Sequence, residues 1–310
     1  MISISEKGTS TQLTMVKRKQ VKDEEILEDA PPRNTEDDGD DSGSSDDEDT
    51  DMLDVEFEWF DPQPEVDFHG LKTLLRQLFD VDNQLFDLSA LTDLILSQPL
   101  LGSTVKVDGN ETDPYAFLTV LNLHGHRGKQ VIKDLVDYLS QKASSDSSMS
   151  QLTGLLSPSS EAQVGLILTE RFVNMPAEVV PPMYNMLLEE ITWAIEEKEP
   201  YSFSHYLILS KTYTEIVSKL DQEESRPKKK NKAAKDSNTF YFHPEDEVLQ
   251  KHASSCGSFD YTKPGDEGAA DSKRTFQELG IRPQGHLMLI EGAKFESAVK
   301  AVGEYLSPQS

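Results

Sequence analysis

A single cysteine, Cys256, stands among the 310 residues, so no internal disulfide can form and a reducing compartment is expected. There is no run of about 18 apolar residues, the length a membrane-crossing helix needs. The polar stretch from Met1 to Gln20 also lacks the apolar core of a signal peptide, so the reading is a soluble, intracellular chain without membrane insertion. Positive charge is scarce as well: 30 Lys and Arg face 56 Asp and Glu, a net charge of -26. Duplex binding needs clustered cations against phosphate, so direct DNA binding is not expected. The partners of this chain should be basic.

The charge sits in blocks. Residues 23–54 carry 16 acidic side chains against Arg33 alone, so about half of the net charge lies in a tenth of the chain. Between Glu28 and Asp51 the only hydrophobic residue is Ala30, and such a stretch cannot offset its ordering entropy by burial. Residues 1–53 are therefore read as a disordered tail, basic at first and then acidic. Its residues Asp37, Asp38, Asp40, Asp41, Asp46, Asp47, Glu48 and Asp49 either keep the chain soluble or act as a polyanion on the basic surface of a partner.

Residues 54–310 read as one folded domain, with loops near 141–160, 222–238 and 257–275. Val55, Phe57 and Trp59 alternate as in a strand. Asp67 is positioned to cap a helix whose apolar face is Phe68, Leu71, Leu74, Leu75, Leu78 and Phe79, with Gly70 a weak point in it; Ser89 is positioned to cap a second helix that Pro99 ends. Strands are predicted over 102–107, 115–123, 164–168, 203–210, 239–243 and 285–290, with Asp108-Gly109-Asn110 as a turn. Helices carry Val131 to Leu139, Met183 to Ile195 and Phe295 to Leu306, the middle one with Pro181 and Pro182 in its first turn. Alternating strands and helices make the fold class α/β.

Catalytic signatures are sparse. The loop His124-Gly125-His126-Arg127-Gly128-Lys129 has glycines and cations, but its Gly-x-x-Gly spacing does not match the phosphate-cradling turn of acetyltransferases, and no GxxxxGK[ST] loop occurs. His124 and His126 lack further ligands at metal spacing, Cys256 has no C-x-x-C partner, and G-x-S-x-G is absent. No catalytic residue, metal or cofactor is expected. The stronger signal is Arg226, Lys228, Lys229, Lys230 and Lys232, five cations in seven residues, a pattern that an acidic importin groove reads; a solvated loop or an RNA contact are the alternatives. Arg171, Phe172, Asn174, Met175, Pro181 and Tyr184 lie where a strand end meets a proline-shaped helix start, and they are the candidate partner-binding residues, with a role in covering the core as the alternative. Trp59 and Trp193 are left open between core and interface.

Several words of the sequence resemble the BCCIP family of eukaryotic proteins, in a fungal form: VEFEWFDP (55–62), GLKTLLRQLF (70–79), LTDLIL (91–96), GSTVK (102–106), GLILTERFVNMPAEVVPPMYNMLLEEI (165–191), YLILSKTY (206–213) and MLIEG (288–292). The resemblance implies a fold similar to GNAT acetyltransferases, a central mixed sheet flanked by helices, without the transferase activity. It also implies a dedicated chaperone and nuclear escort, shuttling between nucleus and cytoplasm. The implied client is a basic large-subunit ribosomal protein, and a phosphatidylinositol phosphate kinase is implied to depend on the family for nuclear export. With an importin as carrier and the chain acting as a monomer, the expectation is a non-enzymatic acidic chaperone. A divergent acyltransferase and a histone-type chaperone are the rival readings.

Overall fold

The computed structural model describes residues 13–16, 52–98, 101–215, 239–262 and 281–307. The chain divides into two units, Met1–Glu56 and Phe57–Ser310. In the first, β1 (Leu13–Val16) pairs antiparallel with β2 (Met52–Val55), Leu13 opposite Val55 and Val16 opposite Met52. Residues 13–16 and 52–53 of the stretch expected to lack structure thus lie in strands. The acidic residues Asp37 to Asp49 lie outside the described residues, as do Arg226 to Lys232.

The second unit is built on β3 (Glu58–Phe60), α1 (Pro64–Phe79), α2 (Leu88–Leu96), β4 (Ser103–Lys106), β5 (Ala116–Asn122), α3 (Gln130–Ser144), α4 (Ser150–Leu155) and β6 (Val164–Arg171). It continues with α5 (Val180–Glu196), β7 (His205–Glu215), β8 (Thr239–Tyr241), α6 (Pro244–His252), β9 (Ser255–Phe259), β10 (Ile281–Glu291) and α7 (Gly292–Leu306). The strands form one mixed sheet in the order β3-β4-β5-β6-β7-β10-β9, with β8 also paired to β7. Every pairing is antiparallel except β6 with β7, which run parallel because α5 carries the chain back across the sheet between them.

The central strands are apolar at consecutive positions because both faces of the sheet are covered. Leu166 and Leu168 of β6, Leu207 and Leu209 of β7, and Leu287 and Leu289 of β10 pack into one core with α1, α2 and α3. Their neighbours Ile167, Tyr206, Ile208, Met288 and Ile290 join a second core with α5, α6 and α7. The open mixed sheet flanked by helices agrees with the expected class. Among the described residues no helix is long and apolar enough to cross a membrane.

Several boundaries differ from the sequence reading, each for an identifiable reason. Pro64 opens α1, a position where no backbone donor is needed. Asp67 therefore lies inside α1, where its carboxylate accepts from the Gln63 N–H at 2.7 Å. Asp87, not Ser89, caps α2 by accepting from the Ala90 N–H at 3.0 Å. The serine-rich stretch after Gln141 is helical through Ser144 and again in α4, because Met149 and Leu152 reach the first core. Part of the loop predicted from Gly257 is strand β9, paired to β10. The strand expected over 55–60 is interrupted at Glu56 and Phe57, and β3 pairs with β4. Gly70 is required: a side chain there would collide with the Pro114 ring.

Glu190 of α5 is buried and accepts from the Gly102 N–H at 2.8 Å. Burial, opposed by that hydrogen bond and aided by the nearby charges of Asp61 and Glu189, pushes its carboxyl up to about 7. The folded state then binds the proton more tightly than the unfolded chain, so Glu190 removes stability as pH rises from about 4.5 to 7. Glu190→Gln keeps an acceptor for Gly102 without the charge, and is expected to stabilise the protein by about 3 kcal/mol at pH 8 and by almost nothing at pH 4. Urea midpoints at the two pH values check this; equal gains at both would show that charge burial is not the cause.

Candidate functional site

The strands β6 and β7 stay in register only as far as Leu168 opposite Leu209, and then part. Beyond that point β6 remains paired to β5 through Arg171, while β8 takes up the free edge of β7 from Thr212 to Thr214. At that divergence stand Glu170 and Arg171 of β6 and Ser210 and Lys211 of β7, Glu170 and Lys211 on the face of the first core and Arg171 and Ser210 on the face of the second, as strand alternation requires. His243, at the entry to α6, and Glu245 and Asp246, in its first turn, supply their partners.

All seven of these side chains are buried. Lys211 Nζ lies 2.5 Å from Glu170 Oε2, and His243 Nε2 lies 3.2 Å from Glu170 Oε1. Arg171 donates from both terminal nitrogens to Glu245, Nη2 reaching Oε2 at 3.0 Å, and Ser210 donates to Asp246. Gln77 of α1 ties in the backbone, donating to the Arg171 carbonyl at 2.8 Å while its own carbonyl accepts from Lys211 at 3.2 Å. Burial alone would raise Glu170, but the His243 hydrogen bond and the charges of Lys211 and His243 overcome it and hold the carboxyl at about 2. Burial would lower His243, and Glu170 and Glu245 overcome it in the other direction, keeping the imidazole protonated more readily than usual. Burial pushes Asp246 up to about 7. Paired charges thus surround the point where the two strands diverge and tie down the end of β6.

The loop that follows β6 reaches the surface beside a groove. His69, Gly70 and Thr73 of α1, the β4–β5 connection including Asp108, Asp113, Pro114 and Tyr115, and Phe172 enclose about 350 Å³. The Phe172 N–H donates to the Tyr115 carbonyl at 3.0 Å, and the two rings meet edge to face at 5.8 Å. The adjoining Val173 is 91 % exposed, an apolar side chain presented outward at the loop tip. The groove thus sets Val107, Pro114, Tyr115 and Phe172 beside the carboxylates of Asp108 and Asp113.

The candidate partner-binding residues separate by depth. Asn174 is exposed, and Phe172 and Pro181 are half-buried, so these three can meet a partner. Arg171, Met175 and Tyr184 are buried and shape the loop from within. The residues that the sequence did not reveal as part of the cluster are Ser210, Lys211, His243, Glu245 and Asp246, up to 76 positions from Glu170. A charged pair at the end of an apolar strand, Glu170-Arg171, was the available signal. His124 and His126 sit in a turn where Asn122 accepts from the Gly125 N–H at 2.8 Å, the tight strand-to-helix connection. Among the described residues no group of three His, Cys, Asp or Glu is placed to hold a metal ion.

Residues 52–249 match the model of a family described as BCCIP. The chain is 63 % identical to "Protein bcp1" of Aspergillus fumigatus over 95 % of its own length and 99 % of that protein's. It is 52 % identical to "Protein bcp1" of Schizosaccharomyces pombe over 84 % of its length and 92 % of the relative's. Among solved structures, the crystal structure of BCP1 from Saccharomyces cerevisiae superposes with a TM-score of 0.56 at 27 % identity, covering 84 % of this chain and 92 % of that one. The family model spans well over half the chain, and the relatives match it nearly end to end: this protein is a member of the BCCIP family.

Proposed function

We propose that this protein is a non-enzymatic acidic chaperone and nuclear escort for a basic large-subunit ribosomal protein, and that it also supports nuclear export of a phosphatidylinositol phosphate kinase. The observation that carries the reading is the charge: -26 overall, with a dense block of carboxylates in residues 23–54. Such a field accelerates encounter with a cationic client and keeps RNA away from it. The groove lined by Phe172, Tyr115, Asp108 and Asp113, with the exposed Val173 next in the chain, adds an apolar foothold near carboxylates. Buried ion pairs surround the point where the parallel strands part, so a residual acyltransferase activity gains no support from that region. Arg226, Lys228, Lys229, Lys230 and Lys232 would be the importin-read signal for entry into the nucleus, from which the loaded chain shuttles.

The test is binding and protection. Purified full chain is mixed with individual basic large-subunit ribosomal proteins, and light scattering and affinity are followed from 0.1 to 0.5 M salt. Suppressed aggregation and an affinity falling about tenfold or more across that range are expected, because exposed charges are screened. Val173→Ser should weaken binding further while moving stability by less than about 0.5 kcal/mol. Absence of binding, or an affinity indifferent to salt, would overturn the reading.

A further inference from the structure

A second groove lies on the other side of the sheet, between α5 and α7. Leu188, Glu189, Thr192 and Trp193 of α5 and Glu296 of α7 enclose about 270 Å³. Trp193 is 47 % exposed and Ile195 45 %, two large apolar side chains left in water on one short stretch of helix. At 100° per residue they flank an exposed face whose centre holds Thr192, Glu189 and Glu196. Both carboxylates lining the groove are free of ion pairs among the described residues, and no cation lines it. Their field is felt nearby: the charge of Glu189 contributes to the raised Glu190 carboxyl. The other tryptophan differs, since Trp59 is half-buried and its indole N–H donates to the Val179 carbonyl at 3.3 Å.

An indole half in water beside unpaired carboxylates has the composition of an interface anchor, since Trp is enriched where binding energy concentrates. We infer that the α5–α7 groove is a docking site for a cationic amphipathic segment, one apolar side chain seating against Trp193 and flanking Lys or Arg pairing with Glu189 and Glu296. Charge complementarity selects this occupant: an acidic or neutral segment would leave both carboxylates unpaired at the contact. The inference rests on the cationic-client reading and adds a place and an anchor to it, separate from the groove at Phe172.

The experiment uses the full chain carrying Trp59→Phe, so that Trp193 is the only indole. Two fluorescently labelled synthetic 15-residue peptides of equal positive charge are added, one with alternating Lys and Leu and one with Ser in place of Leu. Anisotropy reports binding anywhere on the chain, and Trp193 emission reports the groove. The Lys-Leu peptide should blue-shift Trp193. In the otherwise unmutated chain, Glu189→Lys with Glu296→Lys, and separately Trp193→Ala, should each weaken that peptide by about tenfold or more. If both peptides bind by anisotropy and Trp193 does not respond, the groove assignment is wrong while the cationic-client reading stands. If neither binds, both fail. A shift that grows with protein concentration alone would instead make the groove a contact between two copies of this chain. Equal response to an acidic amphipathic peptide would remove charge as the selector.

Discussion

Glu170→Gln is expected to destabilise the protein by about 3–5 kcal/mol at neutral pH, because it removes one member of a buried charge network and leaves the others behind. Lys211, 2.5 Å from the carboxylate, would lose its charge partner and keep the Gln77 carbonyl at 3.2 Å and the face of the Phe242 ring at 5.6 Å. His243 would lose the larger of the two influences that offset its burial and would hold its proton less tightly, which returns part of the loss. The pH dependence gives the sharper signature. A carboxyl held at about 2 in the folded protein contributes stability that is complete above its ordinary 4.5 and disappears as pH falls through 2. The parent should therefore lose about 3 kcal/mol from this one group between pH 5 and 2, and the variant should show a shallower acid limb. Urea unfolding of both across that range measures it. Parallel acid limbs would mean that Glu170 is not held by Lys211 and His243.

Lys106→Met should cost a similar amount, about 3–5 kcal/mol, at the other end of the sheet. Lys106 of β4 and Asp67 of α1 are both fully buried, with Nζ 2.6 Å from Oδ1. The ammonium also donates to the Asn110 carbonyl at 2.7 Å and to its side-chain oxygen at 2.9 Å. The methionine fills the space of the lysine stem, so the loss comes from an uncompensated Asp67 carboxylate and not from a cavity. The double variant Asp67→Asn with Lys106→Met removes both charges and retains an acceptor for the Gln63 N–H. It should recover most of the single variant's loss, because desolvating two ions offsets much of what their attraction returns. A double variant no more stable than Lys106→Met would place the cost in packing or in the Asn110 contacts.

Both pairs show where the sequence was legible and where it was not. Leu166 to Leu168, Leu207 to Leu209 and Leu287 to Ile290 are consecutive apolar residues, and a strand covered on both faces is the economical arrangement for them. The apolar faces of α1 and α7 followed from helical spacing in the same way. Polar residues inside elements were harder to read. Asp67 has the look of a cap because Asp favours helix starts, yet Pro64 had already opened the helix and Lys106 supplied a buried partner 39 positions later. Strand signals stop at Thr169 for the same reason: Glu170 and Arg171 look like loop residues until the partners that neutralise them arrive from β7 and α6. Trp193 could not be distinguished from Trp59 by residue type, since exposure depends on what the neighbouring helix covers.

From the order of residues alone follow the class of the fold, the acidic character of the chain, the scarcity of catalytic motifs and the resemblance to its family. Each depends on local composition or on short spacing, which a linear chain carries in full. Where β6 and β7 separate, which charges meet there, and which of two grooves carries an exposed indole were decided by tertiary structure. These depend on contacts between segments far apart in the chain, and the free energy of a buried charge is set by its surroundings and not by its identity.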